Sequence, residues 1–576
     1  MIFETMRCRD RNHKFVGIWS ALFLFAAPAA FVLWQNMHLT VLWDLSYILE
    51  NATRISLGQH PYRDFPFPYA PLTFLGQAAI IKVFGRAVFH HYLYAALTAG
   101  LGSLLTWRIL LRVLEGSRLP ARLVAFLLSV PMIFLGISSI FPHPFYDFDC
   151  TLFMLMCVWL LLRLERSNFP ALGTFVCGAL LVVPLFIKQN TGLAFLASAA
   201  VCIVWLGVSK RRAAALLLAG AATGMALALG LIQYTVGLAN YLHWTIQFAA
   251  SRRLPGLATM VGVYRDDALI WPAMAVGVGL VFFLVPRFTQ QLSFRWAGAV
   301  LLSLPFLTAL AALYFQDNAS DRVEALLRLW PVLLVASAVL ALWRLREGAT
   351  VQSLLPLILI GSIHGAFLSQ QLWGSTYALW PLLVILIASM LAGLAPREIS
   401  GGAEGEVPVD PLKAFAAIAC VALLITGGYY ALSHERLDYA DLAGDTLERS
   451  HIPALRGLGM RGSWLPDFEE LVAYSEREIP RGDAIMEIPG EDLFYFTTGR
   501  TPQFPVILMD NTVNPYSAAE LANLARQRNV RWLIVKRGLQ LQEQPLAFRP
   551  QLVELLSRDF SLAESLNDYD IYRRNK

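Results

Sequence analysis

Long runs of apolar residues follow one another along the first three quarters of the chain, separated by short polar stretches. Most runs are close to the roughly 20 residues that a helix needs to cross a bilayer. We expect thirteen membrane-spanning helices, near residues 15–34, 91–112, 120–140, 150–165, 170–187, 192–208, 213–236, 268–286, 296–315, 326–343, 352–370, 376–394 and 412–432. The first run resembles a secretory signal, but its apolar residues continue to Trp34, so we interpret it as an uncleaved span.

A further apolar run, from Leu75 to Phe84, is too short to be a span. At about ten residues, it suits a helix that lies in the membrane interface or re-enters the membrane. It ends a polar segment that is too long to be a simple connector between the first two spans. The pattern therefore predicts an interfacial helix on the outer side.

The pattern changes after residue 432. Residues 484–488, 505–508 and 531–535 are typical of short strands, and residues 517–528 of a helix that Ser517 can cap. This alternation predicts a small α/β domain. We expect a transmembrane catalytic domain at 1–432 and an extracytoplasmic α/β domain at 433–576. A Gly-rich linker, 401–405, precedes the last span, and the tail contains neither a GxGxxG motif nor a P-loop.

The composition supports a polytopic membrane protein, because 57% of residues are hydrophobic and only 15% are charged. Soluble domains are nearer a quarter charged. This excludes a cytosolic enzyme, a secreted disulfide scaffold and a disordered chain. The net charge of +5 is small for 576 residues and gives no reason to expect a nucleic-acid partner.

The distribution of Lys and Arg predicts the orientation. The N-terminus is basic, and the loops that should lie on its side carry more Lys and Arg than the opposite short loops. Cytoplasmic loops have this excess. We expect a multi-pass protein of the plasma (inner) membrane with a cytoplasmic N-terminus. An odd number of spans then places the C-terminal domain outside.

The first outer loop contains the first candidate for chemistry. Asp44 lies about ten residues beyond the first span, beside Trp43 and Tyr47, at the expected membrane–water boundary. Acidic side chains this close to lipid are usually functional or paired. The alternative is a helix N-cap or a solvated loop residue. Further along the same loop, Arg63, Asp64 and Tyr69 are candidate substrate-binding residues.

The second outer loop contains His143, Asp147 and Asp149. Because prolines disfavour helix in this loop, we expect the two carboxylates to face the same way on an extended segment. Asp149 has the alternative of capping a helix that starts near Cys150. We assign no certain cofactor, and a divalent metal held by His143 and the two Asp residues is a further option.

Basic residues also lie at this boundary. Lys188 follows an apolar run and precedes Gln189, and the long outer loop 237–267 contains Arg252 and Arg253. Such cations can neutralise a phosphate at the membrane surface. The alternatives are that Lys188 extends to the interface with its head in water and that the arginines are solvated.

The ionisable residues thus gather at the outer boundary, whereas His364 is the main ionisable residue expected at the bilayer midplane. Secondary transporters usually bind their substrates near the midplane. An enzyme that acts on a lipid-linked substrate needs its reactive groups at the level of the headgroups. The arrangement favours the enzyme.

At these residues the chain resembles the GT-C membrane glycosyltransferases, which include protein O-mannosyltransferases, the lipid A aminoarabinose transferase and RgtA/B/C/D-like bacterial enzymes. The resemblance rests on Asp44, the stretches GQHPYRDF and YAPLTFLGQAAIIKVFG within 58–85, the acids at 147 and 149, and KQNTG at 188–192. The thirteen-span plan with an outer α/β tail supports it. Members often have Lys-Pro-Pro or Tyr-Pro-Pro before the interfacial helix; here the sequence is Tyr69-Ala70-Pro71.

The resemblance implies an inverting hexosyl- or pentosyltransferase. It implies transfer of a sugar from a polyprenyl-phosphate donor to the hydroxyl of a glycan, lipid or protein acceptor outside the membrane. Asp44 is then the candidate base, and Asp147 or Asp149 positions the acceptor or holds a metal. Because no Lys stands in the Tyr69-Ala70-Pro71 stretch, Lys188 or an Arg must contact the phosphate.

Three alternatives remain open from the sequence. A transporter or lipid-linked glycan flippase would need polar sites at the midplane. A polymerase or ligase that uses diphosphate-linked glycans typically has one large outer loop between late spans. A non-catalytic sensor leaves the acidic early loops without a role.

Overall fold

The computed structural model describes residues 2–139, 141–253, 256–316, 327–368, 378–395, 410–432, 446–510, 513–540 and 548–575. The helices of the N-terminal part are α1 (Ile2–Asn36), α2 (Leu42–Ser56), α3 (Leu72–Phe84), α4 (Val88–Val113), α5 (Ala121–Ser129), α6 (Tyr146–Arg166), α7 (Ala171–Leu180), α8 (Gln189–Leu206), α9 (Arg211–Thr235), α10 (Leu238–Leu242), α11 (Ala249–Arg253), α12 (Leu257–Gly262), α13 (Ile270–Leu284), α14 (Pro286–Thr289), α15 (Leu292–Phe315), α16 (Trp330–Arg344), α17 (Val351–Ala366), α18 (Trp380–Leu394) and α19 (Pro411–Leu432).

A helix lies at each of the thirteen predicted runs, and within the described residues seven of these helices are long and apolar enough to cross a membrane. Two others are shortened by proline. Helix α5 passes into a 3₁₀ turn that contains Pro131, and α7 is followed by one that contains Pro184. Proline lacks the N–H that an α-helix needs, so the helical pattern is interrupted there. The prediction of a polytopic helical protein is confirmed, and the predicted interfacial helix is α3.

Small residues allow the helices to approach closely. Helix α7 packs along α9, and a Cβ atom added to Gly220 would collide with the carbonyl oxygen of Phe175. Small residues of this kind let the backbones of two membrane helices approach closely and pack tightly. The α7–α9 pair therefore depends on glycine at this position.

The ends of several helices meet on the side predicted to be cytoplasmic. Glu165, in the last turn of α6, accepts a hydrogen bond of 2.6 Å from the N–H of Val351 at the start of α17. Gln352 donates to the carbonyl oxygen of Val113 at the end of α4, at 2.7 Å. These bonds satisfy backbone groups that helix ends leave without partners. Arg163 and Arg166 lie at this same end, as the charge pattern predicts.

The C-terminal part is a small α/β structure. Its strands are β1 (Leu447–Arg449), β2 (Gly459–Arg461), β3 (Ala484–Ile488), β4 (Val530–Lys536), β5 (Phe560–Ser565) and β6 (Tyr569–Arg574), and its helices are α20 (Trp464–Glu478), α21 (Phe494–Thr498), α22 (Ala518–Gln527) and α23 (Phe548–Leu556). Strands β3 and β4 are parallel within a sheet of order β3-β4-β6-β5, whose other pairs are antiparallel. The predicted α/β fold is confirmed.

The predicted helix and two of the three predicted strands of this part are present. Ser517 caps α22 in a reciprocal pair with Glu520. The strand predicted at 505–508 is wrong, since these residues are irregular. Proline at position 505 cannot donate to a strand ladder, and the carbonyl oxygen of Pro505 accepts instead from Arg54 of α2, at 2.8 Å.

The α/β structure packs on the helical bundle at the end where α1 and α19 finish. Gln35, near the end of α1, donates to the carbonyl oxygen of Ala431 in α19 at 3.1 Å. Thr40 donates to the carbonyl oxygen of Gly459 in β2, at 2.9 Å. Helix α2 and the C-terminal domain therefore lie on one side of the bundle, as the predicted topology requires. The predicted linker 401–405 lies outside the described residues.

Candidate active site

Helix α2 positions the first candidate residue, Asp44. The helix begins at Leu42 with Val41 as its N-cap, so Asp44 is not the capping residue. Asp44 lies in the first turn, where backbone N–H groups and the helix dipole favour a negative charge. It is half-buried, which leaves part of the residue exposed.

A chain of aromatic rings leads from α2 to the second outer loop. Tyr47, one turn after Asp44, lies 5.1 Å from the ring of Tyr69, which lies 5.0 Å from the ring of Tyr146. The hydroxyl of Tyr62 donates to the carbonyl oxygen of Tyr69 at 2.7 Å and holds the segment in place. Rings at these separations gain energy beyond the burial of their area. The arrangement joins α2, the segment before α3 and the start of α6.

Lys188 and Asp147 form a buried ion pair at the end of this chain of rings. The Lys188 ammonium lies 5.8 Å from the ring centroid of Tyr146. Next to it, Gln189 donates to the carbonyl oxygen of Pro68 at 2.8 Å. Only 7% of Lys188 is exposed, so the lysine does not extend into water. A buried charge of this kind needs its partner, because solvent no longer stabilises it.

Asp149 is held by two hydroxyl groups. Thr73 of α3 donates to one carboxylate oxygen at 2.6 Å, and Tyr94 of α4 donates to the other at 2.7 Å. Helix α6 begins at Tyr146 with Phe145 as N-cap, so Asp149 does not cap a helix near Cys150. The expected extended segment is also wrong, and two residues on a helix separated by one position point in different directions. Asp147 and Asp149 consequently have different partners.

The three residues considered for a metal do not converge. The ring of His143 is buried and stacks 5.2 Å from that of Phe141. Asp147 pairs with Lys188, and Asp149 is occupied by hydroxyl groups. In the parts of the chain that the structure describes, no group of three His, Cys, Asp or Glu side chains is arranged to hold a metal ion. These residues do not fit a common metal ligand set.

The remaining predicted residues lie at more exposed positions. Arg63 and Asp64 form an ion pair of 3.0 Å with Arg63 about half exposed, and the hydrogen bond from Arg63 lowers the pKa of Asp64. Arg252 is exposed at the end of α11, with its guanidinium 5.5 Å from the ring of Phe248. Arg253 is the last residue of the same helix. The structure thus brings Lys188, Gln189, Asp147 and Tyr69 together near α2, and pairs Arg63 with Asp64 at the surface.

His364 is nearer the outer end of its helix than the sequence suggested. It lies in the last turn of α17, and its Nε2 is 2.6 Å from the hydroxyl of Tyr264. The neighbouring Gly365 packs directly against Asn190 and Thr191 at the start of α8. Helix α17 ends at Ala366, before the end of the predicted run, which places His364 near the end of the helix and not at its middle. His364 lies close to the level of Lys188.

Sequence reasoning missed two buried charged residues on α2. Glu50 is fully buried and accepts a 3.0 Å hydrogen bond from the N–H of Phe496 in α21. Burial raises the pKa of Glu50 to about 8. Arg54 lies 4.1 Å above the ring of Phe65, and burial lowers its pKa to about 9. The apolar residues Leu45, Ile48, Leu49 and Ala52 stand at i, i+3, i+4 and i+7, which is the signal that could have identified an amphipathic helix.

Three solved structures are similar to this chain over most of its length. The crystal structure of ArnT from Cupriavidus metallidurans bound to undecaprenyl phosphate has 12% identity and a TM-score of 0.47, covering 97% of this chain and 98% of its own. Apo ArnT from the same organism has 11% identity and a TM-score of 0.44, covering 98% of each chain. The oligosaccharyltransferase of Archaeoglobus fulgidus, in complex with Zn and sulfate, has 11% identity and a TM-score of 0.43, covering 89% of this chain and 68% of its own.

All three similarities have TM-scores below 0.5 and identities of 11% or 12%. At such identities and TM-scores they assign neither an activity nor a substrate to this chain. No protein-family model matches the sequence, and no curated protein matches it.

Proposed function

We propose that this chain is a membrane glycosyltransferase. It transfers a sugar from a polyprenyl-phosphate donor to an acceptor hydroxyl on the outer face of the membrane. One observation carries the proposal: a buried ion pair between Lys188 and Asp147 is joined by neighbouring tyrosine rings to the helix that bears Asp44. A carboxylate can accept the proton of the acceptor hydroxyl, and a fixed cation on the same side of the bundle can stabilise the departing phosphate.

Asp44 acts as the general base in this proposal. A hydroxyl is a poor nucleophile, and a carboxylate that accepts its proton makes the attack easier. The acceptor oxygen forms a bond to the anomeric carbon of the sugar. The bond between that carbon and the phosphate oxygen breaks, and its electron pair leaves with the phosphate. Attack from the face opposite the phosphate inverts the configuration of the anomeric carbon.

Lys188 stabilises the departing phosphate, which gains negative charge as the bond breaks. A cation that is already fixed in a water-poor site needs no reorganisation during the reaction and is more effective there than in water. Asp147 holds the ammonium in place through the buried ion pair. Because Lys188 can contact a second anion while it keeps Asp147, the pair is suited to a phosphate monoester at the membrane surface.

Asp149 is a positioning residue in this account. Its two oxygens accept from Thr73 and Tyr94, so it ties α3 to α4 and orients the start of α6. Asp147 and Tyr146 lie in the same helical turn, so Asp149 also fixes their positions. We propose no metal-dependent step.

The experiment compares envelope glycolipids and glycoproteins by mass spectrometry. Cells that lack this protein are compared with cells that express the wild type, Asp44→Asn or Glu115→Gln. We expect the wild type to add one sugar mass to a specific envelope component. The Asp44→Asn variant should lose at least about a hundredfold of that product, the lower end of general-base effects.

Glu115 is the matched control, because it is an exposed acid at the opposite end of the bundle and pairs with Arg112. Glu115→Gln should leave the product unchanged at equal expression. An Asp44→Asn variant that restores the product fully would refute the assignment of Asp44. The absence of any sugar-bearing product from wild-type cells would refute the proposed transfer itself.

A further inference from the structure

The first turn of α2, which bears Asp44, is held by a residue near the far end of the chain. The side-chain oxygen of Gln540 accepts a hydrogen bond of 2.7 Å from the N–H of Leu42, the first residue of α2. The side-chain nitrogen of Gln540 donates to the carbonyl oxygen of Thr40 at 2.9 Å. The amide therefore satisfies one backbone donor and one backbone acceptor at the start of the helix, and the two bonds together fix its orientation.

The start of α2 needs this contact because its own N-cap residue cannot supply it. Val41 has the extended backbone of an N-cap, with φ of −95° and ψ of 94°, but a valine side chain contains no oxygen. Helices usually begin with Ser, Thr, Asp or Asn, whose side-chain oxygen accepts from an N–H of the first turn. Gln540 supplies the oxygen instead, from 498 positions beyond Leu42.

Gln540 is itself fixed at one edge of the C-terminal sheet. Strands β3 and β4 are parallel neighbours, so their carboxyl ends lie at the same edge; Glu491 follows β3, and Lys536 ends β4. Glu491 accepts from the backbone N–H of Gln540 at 3.2 Å and from the Lys536 ammonium at 2.5 Å. Both charged residues are buried, and a buried ion pair is costly to break because either charge alone lacks solvent. The pair therefore holds Gln540 against α2.

Asp44 lies within the turn that Gln540 holds. The first backbone hydrogen bond of α2 runs from the N–H of Leu45 to the carbonyl oxygen of Val41, at 3.0 Å, and encloses Asp44. A helix end without a cap frays, since its first N–H groups have no partner within the helix. Fraying would move Asp44, whereas the buried ion pair of Lys188 lies at the start of a different helix. Loss of the Gln540 amide should disturb the carboxylate and leave the cation in place.

We infer that Gln540 is a positioning residue for the reaction, an inference that rests on the proposed function. It acts through α2 and not on the substrate, because it holds the turn from which the carboxylate of Asp44 reaches the acceptor hydroxyl. This gives the C-terminal domain a part in the transfer: the buried pair at the sheet edge places Gln540, and Gln540 places the start of α2. A reacting group displaced by about 1 Å can lose as much as about a hundredfold in rate.

The test uses the full-length protein in nanodiscs. The probes are polyprenyl-phosphate sugars labelled in the sugar, with a lipid and glycan extract from cells that lack the protein as the source of acceptor. Rates of polyprenyl phosphate release give kcat and the KM for the donor. Gln540→Met keeps the length of the side chain and removes its amide. We expect kcat to fall by about tenfold to a hundredfold, while KM for the donor stays within about twofold, because the cation is undisturbed.

Gln503→Met is the matched control. Gln503 is an exposed glutamine of the same domain, and its side chain donates to the carbonyl oxygen of Gly482 within that domain, at 3.0 Å. The substitution is chemically the same as at position 540 but removes no bond to α2. It should leave both kcat and the KM for the donor at their wild-type values.

A second substitution separates positioning of Asp44 from a general effect on the fold. Val41→Thr keeps the branched shape of the N-cap side chain and adds a hydroxyl that can accept from the N–H of Asp44, the third residue of the helix. A helix with its own cap depends less on Gln540. Gln540→Met should therefore cost at least about tenfold in kcat in the wild type but less than about threefold beside Val41→Thr, a coupling that independent sites do not show.

An unchanged kcat for Gln540→Met, a loss that appears only in the KM for the donor, or an equal loss with and without Val41→Thr would overturn the inference. Any of these results would leave the proposed function standing, provided that the wild type releases polyprenyl phosphate and Asp44→Asn does not. No release of polyprenyl phosphate by the wild type would overturn both the inference and the proposed function.

Discussion

At the scale of single residues, the site depends on charges that the fold removes from water. Lys188 and Asp147 are both buried, and each compensates the charge of the other. Their pairing could not be read from the sequence, because they are 41 positions apart and the helix that carries Asp147 starts earlier than its prolines suggested. The sequence did indicate that charged residues at the outer boundary are candidates for the site, because charged groups near lipid rarely lack a role.

Substitutions in the Lys188–Asp147 pair should affect stability and the rate of transfer differently. Lys188→Met leaves a buried carboxylate without its cation, which should destabilise the protein by about 3–5 kcal/mol. Adding Asp147→Asn removes that charge, so the double variant should regain much of the lost Tm. Transfer should stay about a hundredfold or more below the wild type in both, because neither has the cation.

Thermal unfolding in detergent and initial rates of polyprenyl phosphate release measure the two effects. Asp147→Asn alone keeps the lysine and serves as the matched control. Recovery of the rate together with Tm in the double variant would show that the cation is structural and not part of the transfer.

At the scale of elements, α2 is the least expected part of the fold. The sequence placed Asp44, Trp43 and Tyr47 in a loop, but they lie on an amphipathic helix held between the bundle and the C-terminal domain. The helix was missed because it is short and because Glu50 and Arg54, on the face opposite its apolar residues, made the segment resemble a polar loop. Those charges are buried only when the C-terminal domain covers them, a tertiary effect that no local pattern contains.

The buried Glu50 predicts how this junction depends on pH. Burial raises the pKa of Glu50 from 4.5 to about 8, so the folded state holds a proton that the unfolded chain releases at lower pH. The stability that this carboxyl contributes is fully present below about pH 4.5 and is lost as the pH rises towards 8. The loss approaches about 1.4 kcal/mol per pH unit within that window.

Glu50→Gln keeps an acceptor for the N–H of Phe496 but cannot ionise. We expect its Tm to fall less than that of the wild type between pH 5 and 8 (roughly the window between the two pKa values). Glu115→Gln, exposed and distant, should follow the wild type. A Glu50→Gln variant whose Tm falls with pH as steeply as the wild type would contradict a protonated, buried Glu50.

At the scale of the whole molecule, the hydrophobic pattern predicted the architecture better than the site. Span positions depend on apolar length, a property of the local sequence, and so the helices at the thirteen predicted runs and the α/β domain were foreseeable. The irregular segment around Pro505 was not, because its backbone bonds go to α2 and not to a neighbouring strand. The site itself joins residues from both ends of the chain, which only the folded structure brings together.

The most direct measurement is the release of polyprenyl phosphate from labelled polyprenyl-phosphate sugars by the purified protein in nanodiscs. The account predicts release that requires both Asp44 and Lys188, with Asp44→Asn and Lys188→Met each reduced by at least about a hundredfold. It also predicts that polyprenyl phosphate, the product of the reaction, competes with the donor for the wild type. Release at the wild-type rate by either variant, in correctly folded protein, would contradict a single outer site that contains both residues.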